Sequence, residues 1–471
     1  MRGPLPLPLA LSLVLATACG RPVAEVWLTT GDQRNLLARE PDVAFSSGDP
    51  SDLPMIEVAD TGGFQEMVGF GAAITDASAI LINGLPVERR ERLLHELFDP
   101  NSGGGIGLSF TRLTIGASDF SPRHYTFDDM PSGERDPTLA QFSIEPDRAN
   151  RLPVVQRALA INPALKVMAS PWSAPAWMKT TGKLIRGTLR PEAYEAFAEY
   201  LARYVDAYAA EGVPIFALTI QNEPHFEPAD YPGMRVEPPA RARFVGDFLG
   251  PRLARVGSRT LILDWDHNWD EPQSPLAVLR DSVARRYVAG VAWHCYGGDV
   301  AAQTAVHDSF PGVDTYFTEC SGGEWAPKFG DNLVWNVRTL IIGATRNWAR
   351  GVLFWNLALD ESHGPHLGGC GNCRGVVTID SKSGEVTRNV EYYALAHASR
   401  FVRPGARRIW SSTAVEGLES VAFRNPDRTT VLIVVNTGPP GDDRRFKVRS
   451  HGRALEYALP AGAVATLRWS D

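Results

Sequence analysis

Short apolar runs alternate along most of this chain with longer segments whose apolar positions recur every three or four residues. The runs read as strands buried on both faces, and the periodic segments as helices packed over them. The runs cover residues 67–74, 108–115, 165–170, 215–220, 261–265, 290–295, 313–318 and 351–356. Between and after them, residues 87–98, 147–161, 191–210, 240–256, 276–286, 331–349 and 389–401 predict helices. The plainest is 191–210, where Tyr194, Phe197, Leu201, Tyr204 and Tyr208 share one face. Eight strands in such an alternation predict an α/β fold, a closed (β/α)8 barrel with insertions, in preference to an open doubly wound sheet.

After Pro404 the pattern changes to short strands separated by Gly, Pro, Asp and Asn, the mark of an all-β unit. Residues 20–62 hold weak strand signals and are too few for a core of their own. The expected organisation is therefore a barrel over 63–403 and a side β-sandwich over 404–471, completed by the strands of 20–62. Residues 1–19 read as a leader: Met1-Arg2, an apolar stretch from Pro4, and small residues before Cys19. Two outcomes are open, a lipoprotein-type leader with Cys19 lipidated, or simple cleavage. Either makes the protein exported, to the periplasm, the cell surface or the medium, and lipidation would attach it to a membrane.

Composition narrows this further. The formal net charge is −7, with no basic stripe, which argues against a nucleic-acid partner. A Gly-rich run at 103–107 precedes a strand where a phosphate loop would open a helix, so it reads as a turn. No cofactor is expected. Cys295 and Cys320 fall at predicted strands and read as buried thiols. Cys370 and Cys373, with two residues between them and His363 and His366 just upstream, are open to three readings: a disulfide, free thiols or a metal site.

The chemistry lies at two strand ends. The fourth run stops at Gln221-Asn222-Glu223-Pro224, where Pro224 biases Glu223 towards an extended backbone. The seventh run ends in Glu319. In a barrel both carboxylates stand on the rim that carries catalytic groups. A facing pair of this kind suits retaining glycoside hydrolysis, one acid as nucleophile and the other as proton shuttle. Tyr296 or His294 faces Glu319 from the adjacent strand, and a phenol bonded there favours the charged form. Asp119, Trp172, Asn222 and Trp355 share the rim, offering hydroxyl partners and ring faces to a sugar. Arg112, inside the second strand, needs a buried carboxylate.

These residues sit in runs that resemble glycoside hydrolase family 30, in its glucosylceramidase-like branch. The runs are Gly69-Phe-Gly-Ala-Ala-Ile-Thr-Asp-Ala77, Arg112-Leu-Thr-Ile-Gly-Ala-Ser-Asp-Phe-Ser121 and Ser170-Pro-Trp-Ser-Ala-Pro-Ala-Trp-Met-Lys179. Asn222-Glu-Pro224, His294-Cys-Tyr296, Glu319 and Trp355-Asn-Leu-Ala-Leu359 follow in the same order. The resemblance implies Glu223 as acid/base and Glu319 as nucleophile. It implies Arg112, Asp119, Trp172, Asn222, His294, Tyr296 and Trp355 around the glucose, with His294 and Tyr296 supporting the nucleophile. The implied substrate is a β-glucoside: a glycolipid such as glucosylceramide or, alternatively, a β-1,6-glucan cut by an endo-glucanase. The chain departs from the animal lysosomal enzymes at Cys320-Ser-Gly-Gly323 and in the loop from Gly364 to Cys373. That loop falls on the rim, so it bears on the leaving group. Two other classes fit parts of the sequence: a metal-dependent hydrolase built on His363, His366, Cys370 and Cys373, and a non-catalytic carbohydrate-binding surface protein.

Overall fold

The computed structural model describes residues 22–47, 52–60, 62–413 and 415–470. The expected leader and Cys19 lie outside the described residues. Four strands come first: β1 (Val23–Thr29), β2 (Ala38–Ala44), β3 (Ser46–Ser47) and β4 (Met55–Ala59). The barrel follows with β5 (Gly69–Ala73), β6 (Phe110–Ile115), β7 (Lys166–Pro171), β8 (Ile215–Thr219), β9 (Leu261–Asn268), β10 (Val288–His294) and β11 (Asp314–Glu319). After a short β12 (Gly322–Gly323), β13 (Ala349–Phe354) closes the barrel by pairing in parallel with β5. Each run that reads as a buried strand supplies one stave. The helices over 240–256 and 331–349 form close to the expected bounds, but each contains a π-type stretch, Phe244–Leu249 and Asn336–Gly343.

Behind the barrel strand β13 come β14 (Ala358–Leu359), β15 (Cys373–Arg374), β16 (Val377–Ile379) and β17 (Val386–Arg388). The last six strands are β18 (Arg407–Ser411), β19 (Leu418–Arg424), β20 (Thr429–Asn436), β21 (Arg444–Ser450), β22 (Arg453–Leu459) and β23 (Val464–Ser470). They pair with the first four in the order β2-β1-β23-β20-β19-β18-β4-β21-β22-β3. Val26, Leu28, Ile56, Val58, Leu432, Phe446, Leu455 and Leu467 fill the space they enclose. The β-sandwich is thus built from both ends of the chain. It is latched to the barrel by His397, on the final barrel helix Val390–Ser399, whose two ring nitrogens meet the hydroxyls of Thr466 and Thr29 at 2.8 Å each.

The barrel interior is layered. Val68, Phe110, Met168, Ala217, Leu263, Ala292, Tyr316 and Leu353 form an apolar plug. Two residues further along β6, β7, β8, β10 and β11, the inward positions turn polar: Arg112, Ser170, Thr219, His294 and Thr318, all fully or almost fully buried. Two one-residue irregularities break the alternation where the polar layer needs more acids. In the β9–β10 pairing Ala292 faces Trp265 but Trp293 faces His267, so Asp266 is an extra residue. In the β10–β11 pairing Trp293 faces Phe317 but His294 faces Glu319, so Thr318 is extra. Each bulge turns a neighbouring side chain inward that strict alternation would turn outward. Backbone strain marks the first one, with φ of 76° at Trp265 and 55° at Asp266.

Cys295 and Cys320, expected as buried thiols, form a disulfide instead. Each follows the last residue of a neighbouring strand, β10 and β11, which brings their Cα atoms to 5.4 Å. Cys370 and Cys373 form a second disulfide.

Gly71 shows how tightly the staves pack. A Cβ there would lie 1.8 Å from the carbonyl oxygen of Phe110. Gly71→Ala should therefore destabilise the protein by about 1–3 kcal/mol or more, read as a lower denaturation midpoint in guanidinium with an unchanged slope.

Candidate active site

The polar layer is organised around Arg112, whose side chain has no solvent exposure. Its Nη2 donates to Asp266 Oδ2 and to Asn222 Oδ1, both at 2.7 Å. Its Nη1 donates to Glu319 Oε2, and its Nε to Ser170 Oγ at 3.1 Å. One cation therefore joins β6, β7, β9 and β11 and the Asn222 turn that follows β8. The ring systems of Trp172 and Trp355 stack at 5.1 Å, with the Arg112 guanidinium carbon 4.8 and 5.6 Å from their centroids.

Asp266 is the second hub. Thr219 and Ser170 donate to Oδ2 at 2.7 and 2.8 Å, and Thr318 donates to Oδ1 at 2.8 Å. His294 Nε2 lies 3.0 Å from Oδ1. Burial works to raise this acid, but Arg112, His294 and Thr219 outweigh it and hold it far below the usual carboxylate range. The other nitrogen of His294, Nδ1, lies 3.2 Å from Glu223 Oε1 and 3.9 Å from Glu319 Oε1. Burial opposes a charge on His294, but Glu319, Asp266 and Glu223 together push its pKa to about 9. Both ring nitrogens face carboxylates, an arrangement that favours the imidazolium form.

Both catalytic candidates thus approach one nitrogen, and their two oxygens can be no farther apart than those two distances combined. That accommodates the ~5–5.5 Å of retaining pairs and excludes most of the ~6.5–9.5 Å spread of inverting ones. Glu319 also accepts from the Tyr296 hydroxyl at 3.0 Å. Burial raises Glu319, with Glu223 and Asp266 adding to the rise and His294 and Arg112 pulling it back. Burial acts the same way on Glu223, but the His294 hydrogen bond and charge draw it down. His294 Nδ1 thus stands directly against Glu223, within reach for a proton to pass between them.

Glu223 is not extended as Pro224 suggests: its φ is 47°. Its N–H donates to Asp266 O at 3.0 Å and its carbonyl accepts from Phe226 at 2.9 Å. These bonds hold the turn in a strained form that aims the carboxylate into the barrel mouth.

The mouth opens into a cavity of about 830 Å³ whose wall includes Asp119, Trp172, Asn222, Glu223, Tyr296, Glu319 and Trp355. Burial, with Glu319 and Glu223 nearby, raises Asp119 well above the usual range. Arg112 and His294, expected among the sugar contacts, do not reach this wall. They stand one layer deeper on the inward face, committed to the carboxylates. His294 also sits closer to Glu223 than to Glu319, which it was expected to support.

The loop carrying the second disulfide forms part of the same wall. Leu367 N–H donates to Asp119 O at 2.8 Å. Gly369, at φ 69°, passes so close that a Cβ would lie 2.5 Å from that of Asp119. The metal reading of this loop is not supported: the sulfurs are bonded to each other. His363 Nδ1 meets Cys373 O at 2.9 Å while its Nε2 meets Glu324 at 3.1 Å, and His366 Nδ1 meets Gly368 O at 3.0 Å. Glu223, His267 and His294 also come within 4.8 Å of one another, but both His294 nitrogens are engaged by carboxylates.

Sequence reasoning missed Asp266, His267, Asn268, Tyr231 and Trp325. The first three directly follow the run 261–265, so the polar strand end that exposed Glu223 and Glu319 was present there too. Tyr231 and Trp325 sit on loops with no periodic signal.

Residues 67–402 match the Glycosyl hydrolase family 30 TIM-barrel domain, and residues 405–467 the Glycosyl hydrolase family 30 beta sandwich domain. The chain is 37% identical to Endo-1,6-beta-D-glucanase neg1 of Aspergillus fumigatus over 408 residues, covering 81% of this chain and 80% of that protein. It is 30% identical to Lysosomal acid glucosylceramidase of Mus musculus, covering 86% and 81%. A solved endo-beta1,6-glucanase superposes with a TM-score of 0.87 at 32% identity, over 95% of this chain and 99% of that one.

Asp266→Ala should leave Arg112 and His294 short of a counter-charge and destabilise the fold by about 3–5 kcal/mol, measured by chemical denaturation. A loss below 1 kcal/mol would show that the hub carries no such weight.

Proposed function

The chain belongs to glycosyl hydrolase family 30 and is a glycoside hydrolase, and we propose that it hydrolyses β-glucosides with retention, Glu319 as nucleophile and Glu223 as acid/base. The observation that carries this is the shared position of both carboxylates about one buried imidazole, at the wall of a sugar-sized cavity. Arg112 and Tyr296 donate to Glu319 and orient it for attack on the anomeric carbon. As that C–O bond forms, the bond to the leaving oxygen breaks, and the proton held between His294 and Glu223 passes to the departing alcohol. Glu223 then takes a proton from water, whose oxygen displaces Glu319 and releases the sugar.

For the leaving group, a β-1,6-glucan is the reading we favour. It is supported by the greater identity to the fungal endo-1,6-glucanases and by the wall loop that carries Cys370 and Cys373. Glucosylceramide is the second reading, supported by the sequence resemblance and by the relative from Mus musculus. We further propose export, which the leader-like residues 1–19 and the two disulfides support. Lipidation of Cys19 would add membrane attachment, and mass spectrometry of the mature N-terminus decides it.

A 2-deoxy-2-fluoro-β-glucoside with a good leaving group should trap the enzyme covalently, with the label on the peptide holding Glu319. Glu319→Gln should lose activity by roughly 10⁴-fold or more. Glu223→Gln should lose less on an activated aryl glucoside, which needs no protonation of its leaving group, and azide should rescue it. A label on Glu223, or full activity of Glu319→Gln, reverses or removes the roles.

The pH profile follows from the same groups. Glu319 must be ionised, so kcat/KM on an aryl glucoside should rise through a pKa above the ordinary 4.5 of a glutamate. On a β-1,6-linked gluco-oligosaccharide, whose departing alcohol needs protonation, the shuttle must hold its proton, so activity should fall as pH climbs towards about 9, where His294 loses it. A profile flat from neutrality to pH 10 would contradict the shuttle.

A further inference from the structure

Two tryptophans outside the catalytic constellation are unusually open to solvent: Trp325 at 56% and Trp335 at 43%. Large exposed apolar side chains grouped together mark a contact surface. Both line a groove of about 640 Å³. The groove is not separate from the catalytic cavity, since Tyr296, Ser321 and Trp325 border both. Its floor includes the disulfide pair Cys295 and Cys320, which directly follow β10 and β11. The floor is therefore fixed to the strands that carry His294 and Glu319.

The Trp325 ring is seated by design of the backbone. It lies over Gly323, where a Cβ would fall 2.0 Å from the indole. Gly323 is itself held by β12 pairing with β15, through Cys373 of the wall loop. The turn is closed by Ala326 N–H donating to Gly323 O at 3.1 Å. Trp335 is the last residue of the α-helical stretch Phe329–Trp335, which runs on into the π-type stretch Asn336–Gly343, and it lines the groove. Lys328, Asp331, Asn332 and Asn336 line the same groove and add polar groups to it.

Flat apolar rings in one groove with amide and charged groups suit a pyranose chain, whose C–H faces stack on rings and whose hydroxyls bond polar groups. A ceramide has two alkyl chains and no use for Asp331 or Lys328 beside them. We infer that this groove binds further glucose units of the β-glucan chain whose scissile sugar sits at Glu223 and Glu319, with Trp325 and Trp335 as stacking platforms. The inference rests on the reading of the site as a β-glucan hydrolase and deepens it by naming where the polymer lies.

The test is chain-length dependence. For the full chain on β-1,6-linked gluco-oligosaccharides, kcat/KM should rise by about tenfold or more from dimer to hexamer. Trp335→Ala should flatten that rise, whereas a variant that only loosened the fold would lower every length by the same factor. Calorimetry in a Glu319→Gln background provides an independent arm, where Trp335→Ala or Trp325→Ala should weaken hexamer binding by about tenfold. A rise that persists in both tryptophan variants, or unchanged hexamer affinity, overturns the groove. If the unsubstituted chain cleaves no β-glucoside, the catalytic reading fails, and the calorimetric arm still decides the groove alone.

Discussion

A guanidinium sealed in a protein interior must find negative charge within hydrogen-bond reach, and the mouth of this barrel is arranged to meet that demand. Arg112 has no exposure, and it takes one oxygen from Asp266, one from Glu319 and an amide oxygen from Asn222. Satisfying it sets the position of three other groups. Glu319 is held with one oxygen committed and the other left towards Tyr296 and the cavity. Asn222 is fixed beside Glu223. Asp266, placed by Arg112, in turn orients His294 and so determines which carboxylate receives its proton. The sugar-facing groups form a thin outer layer over this salt-bridged one, and the apolar plug beneath excludes water from both.

Much of this was legible in the order of residues. Eight buried runs predict eight staves, and an acid directly after an apolar run predicts a catalytic position on the rim. Arg112 within a strand predicts a buried partner, and the structure supplies two. What escaped was anything depending on register. Alternation from Leu263 places Trp265 inward and Asp266 outward. Only the inserted residue in β9, seen in its pairing with β10, reverses that. The same holds for Thr318 and Glu319, which both reach the interior although they are adjacent. The disulfide between Cys295 and Cys320 was missed for a related reason: periodicity describes each strand alone, whereas pairing between strands brings the two sulfurs level.

The loop after β13 gave mixed signals because its composition serves several chemistries. Paired cysteines and nearby histidines have metal-ligand spacing, yet here the sulfurs join and the imidazoles bond to backbone carbonyls and Glu324. Its role is mechanical. It carries Gly369 against Asp119 and pairs β15 with β12, so one loop braces the deep wall of the cavity and the turn that seats Trp325.

The two one-residue insertions in β9 and β11 make the position of the acids a property of backbone count. Transplanting Arg112, Asp266, His294 and Glu319 onto a regular eight-stranded scaffold would not reproduce the centre, because two of the four would point into the surrounding helices. Any engineered copy must inherit the slipped ladders before it inherits the side chains.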